Sequence, residues 1–338
     1  MSGHIFSPGP LRGEIRVPGD KSISHRALIL GATLTAPLRI TNLNPGRDLL
    51  ATIGALSSIG IPIERDGGDI VVHPRPLNDA PATVDCMNSG TTARLILGVC
   101  SGANIAATLD GDESLRKRPM EPVAAQLRAF GAHIETRAGM LPAAVQGTDS
   151  PQTRRFILVA PSAQIKSALL LCGVFAKTAI AISGDRNSRD HTERILQAFG
   201  ANISFDGKRI DYEPGPLHPH DLNIPADFSA AAFFMVAATI SPGSDITIKE
   251  VGVNPTRTGL LDALLHMGAD IELVDRAERG GEPIADIRVR SAALRGITVG
   301  PDLALRTIDE ILVLCVAAAR AGGKTKITGI GDLRHKES

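Results

Sequence analysis

LSSIGIPIE (residues 56–64), LRAFGAHIE (127–135), LQAFGANIS (196–204) and LLHMGADIE (264–272) are one pattern met four times, with starts 71, 69 and 68 residues apart. Each reads as the last turn of a helix, a glycine at or beside its C-cap, and an alternating strand that begins two residues later. The glycines are Gly60, Gly131, Gly200 and Gly268. Upstream of each copy comes a small-residue helix opened by a polar cap: KSISHRALILGATL, NSGTTARLILGVC, SAQIKSALLLCGVF and DFSAAAFFMVAATI, with a fifth in TIDEILVLCVAAARAGG. Between the two helices lie a β-branched stretch and a polar loop holding arginine, as in LRITNLNPGRD and IAISGDRNSRD. The repeat is therefore strand, helix, strand, helix, strand, strand over about seventy residues. Solenoid and propeller units are mostly shorter, at roughly 20 to 50 residues, and simpler. The pattern predicts an α/β protein of repeated βαβαββ units that pack their helices inward.

At 338 residues the chain is long enough for about two domains. Aromatic residues make up 3% of it and tryptophan is absent, so aliphatic side chains, alanine and 34 glycines must carry close helix-on-sheet packing. Thirty-six basic residues balance thirty-six acidic ones, so no global field steers the chain toward nucleic acid or an anionic membrane. Cys86, Cys100, Cys172 and Cys315 lack metal-ligand spacing, and the last three sit in apolar runs where small buried thiols in a reducing compartment are expected. The amino terminus, MSGHIFSPGP, matches neither a signal nor a transit peptide, and no apolar run reaches membrane-spanning length. A cytoplasmic location without nucleic-acid or membrane partners is expected.

Chemistry-bearing residues concentrate at the helix starts and loops of the repeat. VPGDKSISHRALILG (17–31) sets Lys21, Ser22, Ser24, His25 and Arg26 at the opening of a helix. Asp20 or Ser22 can cap that helix; equally, its free amides, its dipole and two cations can converge on a phosphate or carboxylate. CMNSGTTAR offers Asn88, Ser89, Gly90, Thr91 and Thr92 in the same two capacities, with Gly90 letting a ligand approach the backbone. GDESLRKRPMEP crowds Arg116, Lys117 and Arg118 ahead of a helix whose dipole they oppose, which favours anion binding. PSAQIKSALLL places Ser162 and Gln164 at a further helix start, with Lys166 a turn away. RTIDEILVL sets Asp309 and Glu310 before an apolar helix, where a carboxylate either caps or serves as a general base. LRHKES closes the chain with Arg334, Lys336 and Glu337 on the arginine-bearing loop of the repeat.

In this order, PGDKSISHR, NSGTTAR, GDESLRKRPM, SAQIKSA, SRDHTE, NPTRTG, IDE and LRHKES together resemble the 5-enolpyruvylshikimate-3-phosphate synthase family along the whole chain. The resemblance implies the enolpyruvyl transferase fold, with about six βαβαββ units in two domains, of which this sequence holds about four and a half. Residues 19–225 then form a complete three-unit domain on the shikimate 3-phosphate side, while 1–18 plus 226–338 form a second domain that is incomplete at its C-terminus. The implied reaction is transfer of the enolpyruvyl group of phosphoenolpyruvate to the 5-hydroxyl of shikimate 3-phosphate with release of phosphate, by a monomer that needs no metal or organic cofactor.

By the same resemblance Lys21 meets both substrates, and Ser22, Arg26, Ser162, Ala163 and Gln164 hold shikimate 3-phosphate, Ala163 through its backbone alone. Gly90, Arg118 and Gln164 face phosphoenolpyruvate. Asp309 binds the shikimate hydroxyls and acts as base, Lys336 supports the substrate, and Glu337 joins Lys21 as a proton-transfer candidate. Ser188 matches a phosphate-loop position more loosely. Physical chemistry agrees: two phosphorylated, carboxylated substrates side by side need several cations to offset their repulsion. A UDP-N-acetylglucosamine enolpyruvyl transferase of the same fold would carry a reactive cysteine in its equivalent loop, and residues 101–171 hold none. A non-catalytic binding or remnant module is the other alternative, since the fifth repeat stops at TKITGIGDLRHKES before its second helix. The 338-residue form is accordingly expected to be inactive as it stands and to leave apolar helix faces such as EILVLCVAAA uncovered.

Overall fold

The computed structural model describes residues 9–78, 81–184, 188–331 and 333. In chain order its elements are β1 (Arg12–Ile15), α1 (Lys21–Gly31), β2 (Leu38–Thr41), α2 (Arg47–Ser58), β3 (Ile63–Asp66), β4 (Asp69–Val72), β5 (Ala82–Asp85), α3 (Gly90–Gly102), β6 (Ala106–Asp110), α4 (Glu121–Phe130), β7 (His133–Arg137) and β8 (Met140–Gln146). There follow β9 (Arg155–Ile157), α5 (Ala163–Phe175), β10 (Ile180–Ser183), α6 (His191–Ala198), β11 (Asn202–Phe205), β12 (Arg209–Glu213) and β13 (Leu222–Asn223). The last stretch holds α7 (Phe228–Ile240), β14 (Asp245–Gly252), α8 (Gly259–His266), β15 (Asp270–Arg279), β16 (Glu282–Arg290), β17 (Thr298–Val299), α9 (Pro301–Arg306), α10 (Ile311–Arg320) and β18 (Lys326–Ile327).

The chain divides into two compact units, residues 19–224 and residues 1–18 with 225–338. Each has its own core, one running from Ile23 to Ile224 and the other joining Val17 to residues between Ala226 and Ala317. Two sheets of the first unit are built in place, in the orders β5-β6-β8-β7 and β9-β10-β12-β11, with the outer β5-β6 and β9-β10 pairs parallel and the rest antiparallel. The sheets β13-β2-β4-β3 and β1-β14-β16-β15 have the same plan, but their first strands come from far along the chain. The strand ahead of α1 thus joins the other unit's sheet, and β13 takes its place beside β2. In the second unit, β17 and β18 form a further parallel pair.

Gly60, Gly131, Gly200 and Gly268 follow the second helix of their repeats with φ of 99°, 126°, 79° and 92°, a left-handed turn that a side chain would resist. The two helices of a repeat differ in burial. Residues Ile23–Gly31 of α1, Leu95–Gly102 of α3 and Lys166–Val174 of α5 are buried without interruption, whereas α2, α4 and α6 keep one face in solvent. Close contact of α3 with α5 depends on absent side chains: a β-carbon on Gly98 would stand 2.3 Å from the Ala168 carbonyl oxygen, and one on Gly102 would stand 2.0 Å from that of Cys172.

Cys86, Cys100 and Cys172 are buried, and burial pushes the Cys86 and Cys100 thiols up to about 12. Cys315 departs from expectation and is exposed. On α10 only Ile311, Val313, Leu314 and Ala317 turn inward, so the helical period carries residue 315 to the outer face with Leu312 and Val316. Phe233 and Phe234 of α7 are exposed as well.

Gly102→Ala is expected to lower stability by about 1–3 kcal/mol, as overpacking of a tight core does. Gly54→Ala is the control, because a β-carbon there meets nothing within 4 Å on a helix; it should leave stability unchanged or raise it by up to about 1 kcal/mol. Denaturant midpoints of the two variants against the parent chain decide the matter.

Candidate active site

Within the unit of residues 19–224, α1, α3 and α5 begin alike. Their caps are Asp20, Ser89 and Ser162, whose side chains accept from the backbone N–H of Ile23, Thr92 and Ile165. None has an acidic residue in its first turn, whereas α2, α4 and α6 carry Asp48, Glu121 and Glu193 there. Positive dipole ends are thus answered by first-turn carboxylates on the second helices and by the Asp20 cap on α1, whereas α3 and α5, capped by serines, present theirs without a protein carboxylate.

Side chains link the starts of α3 and α5 to each other and the start of α1 to that of α2. Lys21, the first residue of α1, keeps about half of its side chain exposed and pairs at 3.1 Å with Asp48. Arg94 donates to the Gly90 carbonyl at 3.3 Å, to Gln164 Oε1 at 2.9 Å and to the Pro119 carbonyl at 2.9 Å, so it joins α3, α5 and the loop before α4. Gln164 donates back to Thr91 Oγ1 at 3.1 Å, and Arg118 donates to Asn88 Oδ1 at 2.7 Å. A β-carbon on Gly90 would stand 2.7 Å from Arg94 Nη1 and 3.3 Å from Arg118 Nη1, so both guanidinium groups lean on this glycine. Ser22, Ser162 and Ala163 are partly open at the same helix starts.

Arg26 lies deeper, with 3% of its surface exposed. Its Nε donates to Thr192 Oγ1, Nη1 to the Ser22 carbonyl and Nη2 to Ser167 Oγ, at 2.8–2.9 Å. It therefore supports the floor, tying α1 to α5 and α6. Lys166 pairs with Glu193 at 2.9 Å, both buried, and donates to the Ser188 carbonyl at 3.0 Å. Burial pushes the Glu193 carboxyl above its usual range, while the lysine works against that shift.

One expectation about charge is corrected, and one of two alternatives for another is set aside. Arg116 and Lys117 form surface pairs with Asp110 and Glu113, so Arg118 is the member of that trio joined to the α3 start. Asp309 and Glu310 do not cap α10, which has no side-chain cap bond. In the unit that contains α7, α8 and α10, Asp309 Oδ2 instead accepts from Arg257 Nη1 at 2.9 Å, Arg257 Nη2 donates to Ser229 Oγ at 2.7 Å, and Ser229 Oγ donates to Glu310 at 2.5 Å. Lys336 and Glu337 lie outside the described residues. Arg94 and Arg257 were not singled out from the sequence. Their signal was there, since Arg94 is four residues after Gly90 and Arg257 stands in NPTRTG. Among the described residues no group of three or more His, Cys, Asp or Glu side chains is placed to hold a metal ion.

Repeated strand-and-helix units built on small four-stranded sheets, with arginine and lysine side chains at the starts of their first helices, define the class as an α/β protein. A model of the EPSP synthase (3-phosphoshikimate 1-carboxyvinyltransferase) family matches residues 5–338. The 3-phosphoshikimate 1-carboxyvinyltransferase of Desulforudis audaxviator is 48% identical over 97% of this chain and 78% of its own length. That of Halorhodospira halophila is 46% identical over 98% and 76%. A solved EPSP synthase from Acinetobacter baumannii superimposes with a TM-score of 0.88 at 39% identity, covering 98% of this chain and 77% of the other. The chain belongs to the EPSP synthase family.

His25, next to Arg26, is fully buried, and its imidazole is pushed down from 6.5 to about 3, first by burial and then by Arg26 and Lys21. The folded ring refuses a proton that the unfolded chain accepts below about pH 6.5. Its contribution to stability is therefore complete above that value and is lost as the pH falls toward 3. Between pH 7 and 5 the chain is expected to lose about 2 kcal/mol on this account. His25→Asn should flatten the loss, as measured by urea denaturation at the two pH values.

Proposed function

We infer that this chain serves the enolpyruvyl transfer from phosphoenolpyruvate to the 5-hydroxyl of shikimate 3-phosphate, a transferase step of the shikimate pathway toward aromatic amino acids. The observation that carries the reading beyond family membership is the joined start of α3 and α5, where Arg94, Arg118 and Gln164 meet two serine-capped dipole ends that lack first-turn acids, with Lys21 opening α1 in the same unit. Two ligands that each carry a phosphate and a carboxylate need such a surface, because neighbouring like charges must be offset by donors already in place.

Residues 19–225 supply the shikimate 3-phosphate side. Ser162 and the backbone of Ala163 bind its phosphate, Ser22 and Gln164 continue the contact, and Arg26 fixes the floor under Ser22. Gly90 lets phosphoenolpyruvate approach the α3 amides, flanked by Arg118 and Lys21. In the addition step the hydroxyl oxygen bonds to C2 of phosphoenolpyruvate while C3 takes up a proton; in the elimination step phosphate leaves C2 as C3 gives that proton back. Asp309 is the base that accepts the hydroxyl proton, and Lys21 with Glu337 handles the proton at C3. Lys336 supports the bound substrate. The protein acts as a cytoplasmic monomer, a reading whose oligomeric part comes from the family resemblance; among the described residues no helix is long and apolar enough to cross a membrane.

Calorimetric titration with shikimate 3-phosphate is expected to show one saturable site, and a flat titration would remove the reading. Lys21→Ala should weaken that binding by about 1.5–3 kcal/mol, the worth of a charge-assisted bond, with the melting temperature unchanged. Arg26→Ala, which cuts three internal bonds, should lower affinity and stability together. Asp309→Asn, in a protein of its relatives' full length, is expected to slow phosphate release by about 10² or more; full activity in that variant would assign the carboxylate to structure alone.

A further inference from the structure

Beneath the Lys21–Asp48 pair lies a second, buried layer. His25 is four residues past Lys21 on α1 and Thr52 four past Asp48 on α2, so each falls on the same helix face as its predecessor. His25 Nδ1 stands 2.7 Å from Thr52 Oγ1, Thr52 Oγ1 stands 2.7 Å from Thr92 Oγ1, and Thr92 Oγ1 stands 2.8 Å from Ser89 Oγ. All four side chains belong to buried residues. The chain of contacts runs from α1 through α2 to the cap of α3, which is followed directly by Gly90.

Counting protons gives the chain a direction. Each hydroxyl has one hydrogen to donate. That of Thr92 is directed to Ser89 Oγ, with the Asp48 carbonyl at 3.4 Å as its other acceptor. Thr52 must then donate to Thr92 and receive from the ring, which places the imidazole hydrogen on Nδ1. In the reverse order Thr52 would donate to a bare Nδ1, and the ring hydrogen would sit on Nε2, a buried atom with no hydrogen-bond partner. An orphaned buried N–H is the rarer and costlier outcome, whereas a bare nitrogen in apolar surroundings forgoes one acceptor only. Ser89 Oγ, which also accepts from the Thr92 amide at 3.1 Å, finishes with its own hydrogen uncommitted within the chain.

We propose that His25 is a positioning residue for the anion site at α3: its neutral Nδ1–H tautomer starts a one-way chain of hydrogen bonds, His25 to Thr52 to Thr92 to Ser89, that fixes the first turn of α3 and turns the Ser89 hydroxyl toward the bound anion. This rests on the assignment of Gly90 to the phosphoenolpyruvate side. The neutral state is supported by burial together with the flanking cations Arg26 and Lys21, which outweigh the opposing influence of Asp20.

Long-range proton–nitrogen NMR of the 15N-labelled, ligand-free chain is expected to show His25 with a protonated Nδ1 and a bare Nε2, unchanged from pH 7 to 5. A protonated Nε2 or an imidazolium overturns the proposal. Thr52→Val keeps the shape and cuts the chain. It should quicken amide exchange at Gly90, Thr91 and Thr92 about ten-fold and weaken phosphoenolpyruvate, measured with saturating shikimate 3-phosphate, by a similar factor, the size of one lost hydrogen bond. Affinity for shikimate 3-phosphate alone should hold. His25→Asn, whose amide offers an N–H near the Nδ1 position, should retain both properties. Unchanged exchange, exchange quickened across the whole unit, or equal loss of both substrates would also overturn it. If the parent chain binds neither substrate, the assignment of the site fails, while tautomer and exchange still decide the role of His25.

Discussion

A helix buried on every side can meet solvent only at its ends, and this constraint organises the unit of residues 19–224. The flanks of α1, α3 and α5 are packed by other helices and by their own sheets, so no functional side chain can project from them without being sunk in the core. Their first turns are different. The backbone leaves four amides without intrahelical partners, and each cap accepts from one N–H or two at most. With no first-turn acid to finish the work, the remaining positive ends are available to a ligand. Placing the chemistry there follows from how the repeat packs, and the same packing demands glycine at positions 98 and 102, where two helix backbones nearly touch.

Polar residues that do lie in the core are joined rather than isolated, as burial requires. Neighbouring positions on α1 point about 100° apart around the helix, so His25 reaches α2, and through Thr52 α3, while Arg26 reaches α5 and α6. One helix therefore sets the register of four others. The Lys166–Glu193 pair ties α5 to α6 in a second way. Breaking a buried pair by removing one partner costs far more than the intact pair contributes, so such links act chiefly to exclude other packings. Cap, floor and anion surface are thus consecutive layers of one assembly, each held by the layer below.

Much of this was legible in the sequence. Four glycine-marked helix ends at near-constant spacing gave the βαβαββ unit and its sheets, because helix stop and strand start are local events with local signals. Ser22, Gly90, Ser162 and Gln164 stood out through their place in the repeat and Ala163 through the resemblance, and the structure sets all five at helix starts, those of α3 and α5 joined by hydrogen bonds. What escaped was non-local. Arg94 acts through partners 70 residues away on α5 and 25 away on the loop before α4. Arg257 meets an acid 52 residues on, so IDE read alone resembled a cap. Cys315 was misplaced because an apolar run does not say which arc of its helix faces inward. His25 looked like one polar residue among several, and its partners Thr52 and Thr92 have no motif of their own.

The joining of residues 1–18 to the chain beyond 225 has no local signal either and came from the resemblance alone, and it bears on how the structure assembles. Sheets β5–β8 and β9–β12 draw all their strands from contiguous stretches, so they can close early. The β13-β2 pair must bring residue 222 beside residue 40, and the β1-β14 pair brings residue 12 beside 245; closures of that span are slow, and until they form β2 and β14 are open edges. Tight local contacts secure the late step. Asn42 donates to the Ile224 carbonyl and Asn44 to that of Gly19, at 2.8 and 2.7 Å. At residue 19 a β-carbon would stand 1.8 Å from the Asn42 carbonyl oxygen, so only glycine fits. In the other unit the Asp227 amide donates to the Pro18 carbonyl. Each unit therefore fastens its own ends, residues 19 and 224 in one and residues 18 and 227 in the other. Within residues 19–224 the loop of Asn42 to Asn44 thus holds both Ile224 and Gly19, two residues before Lys21.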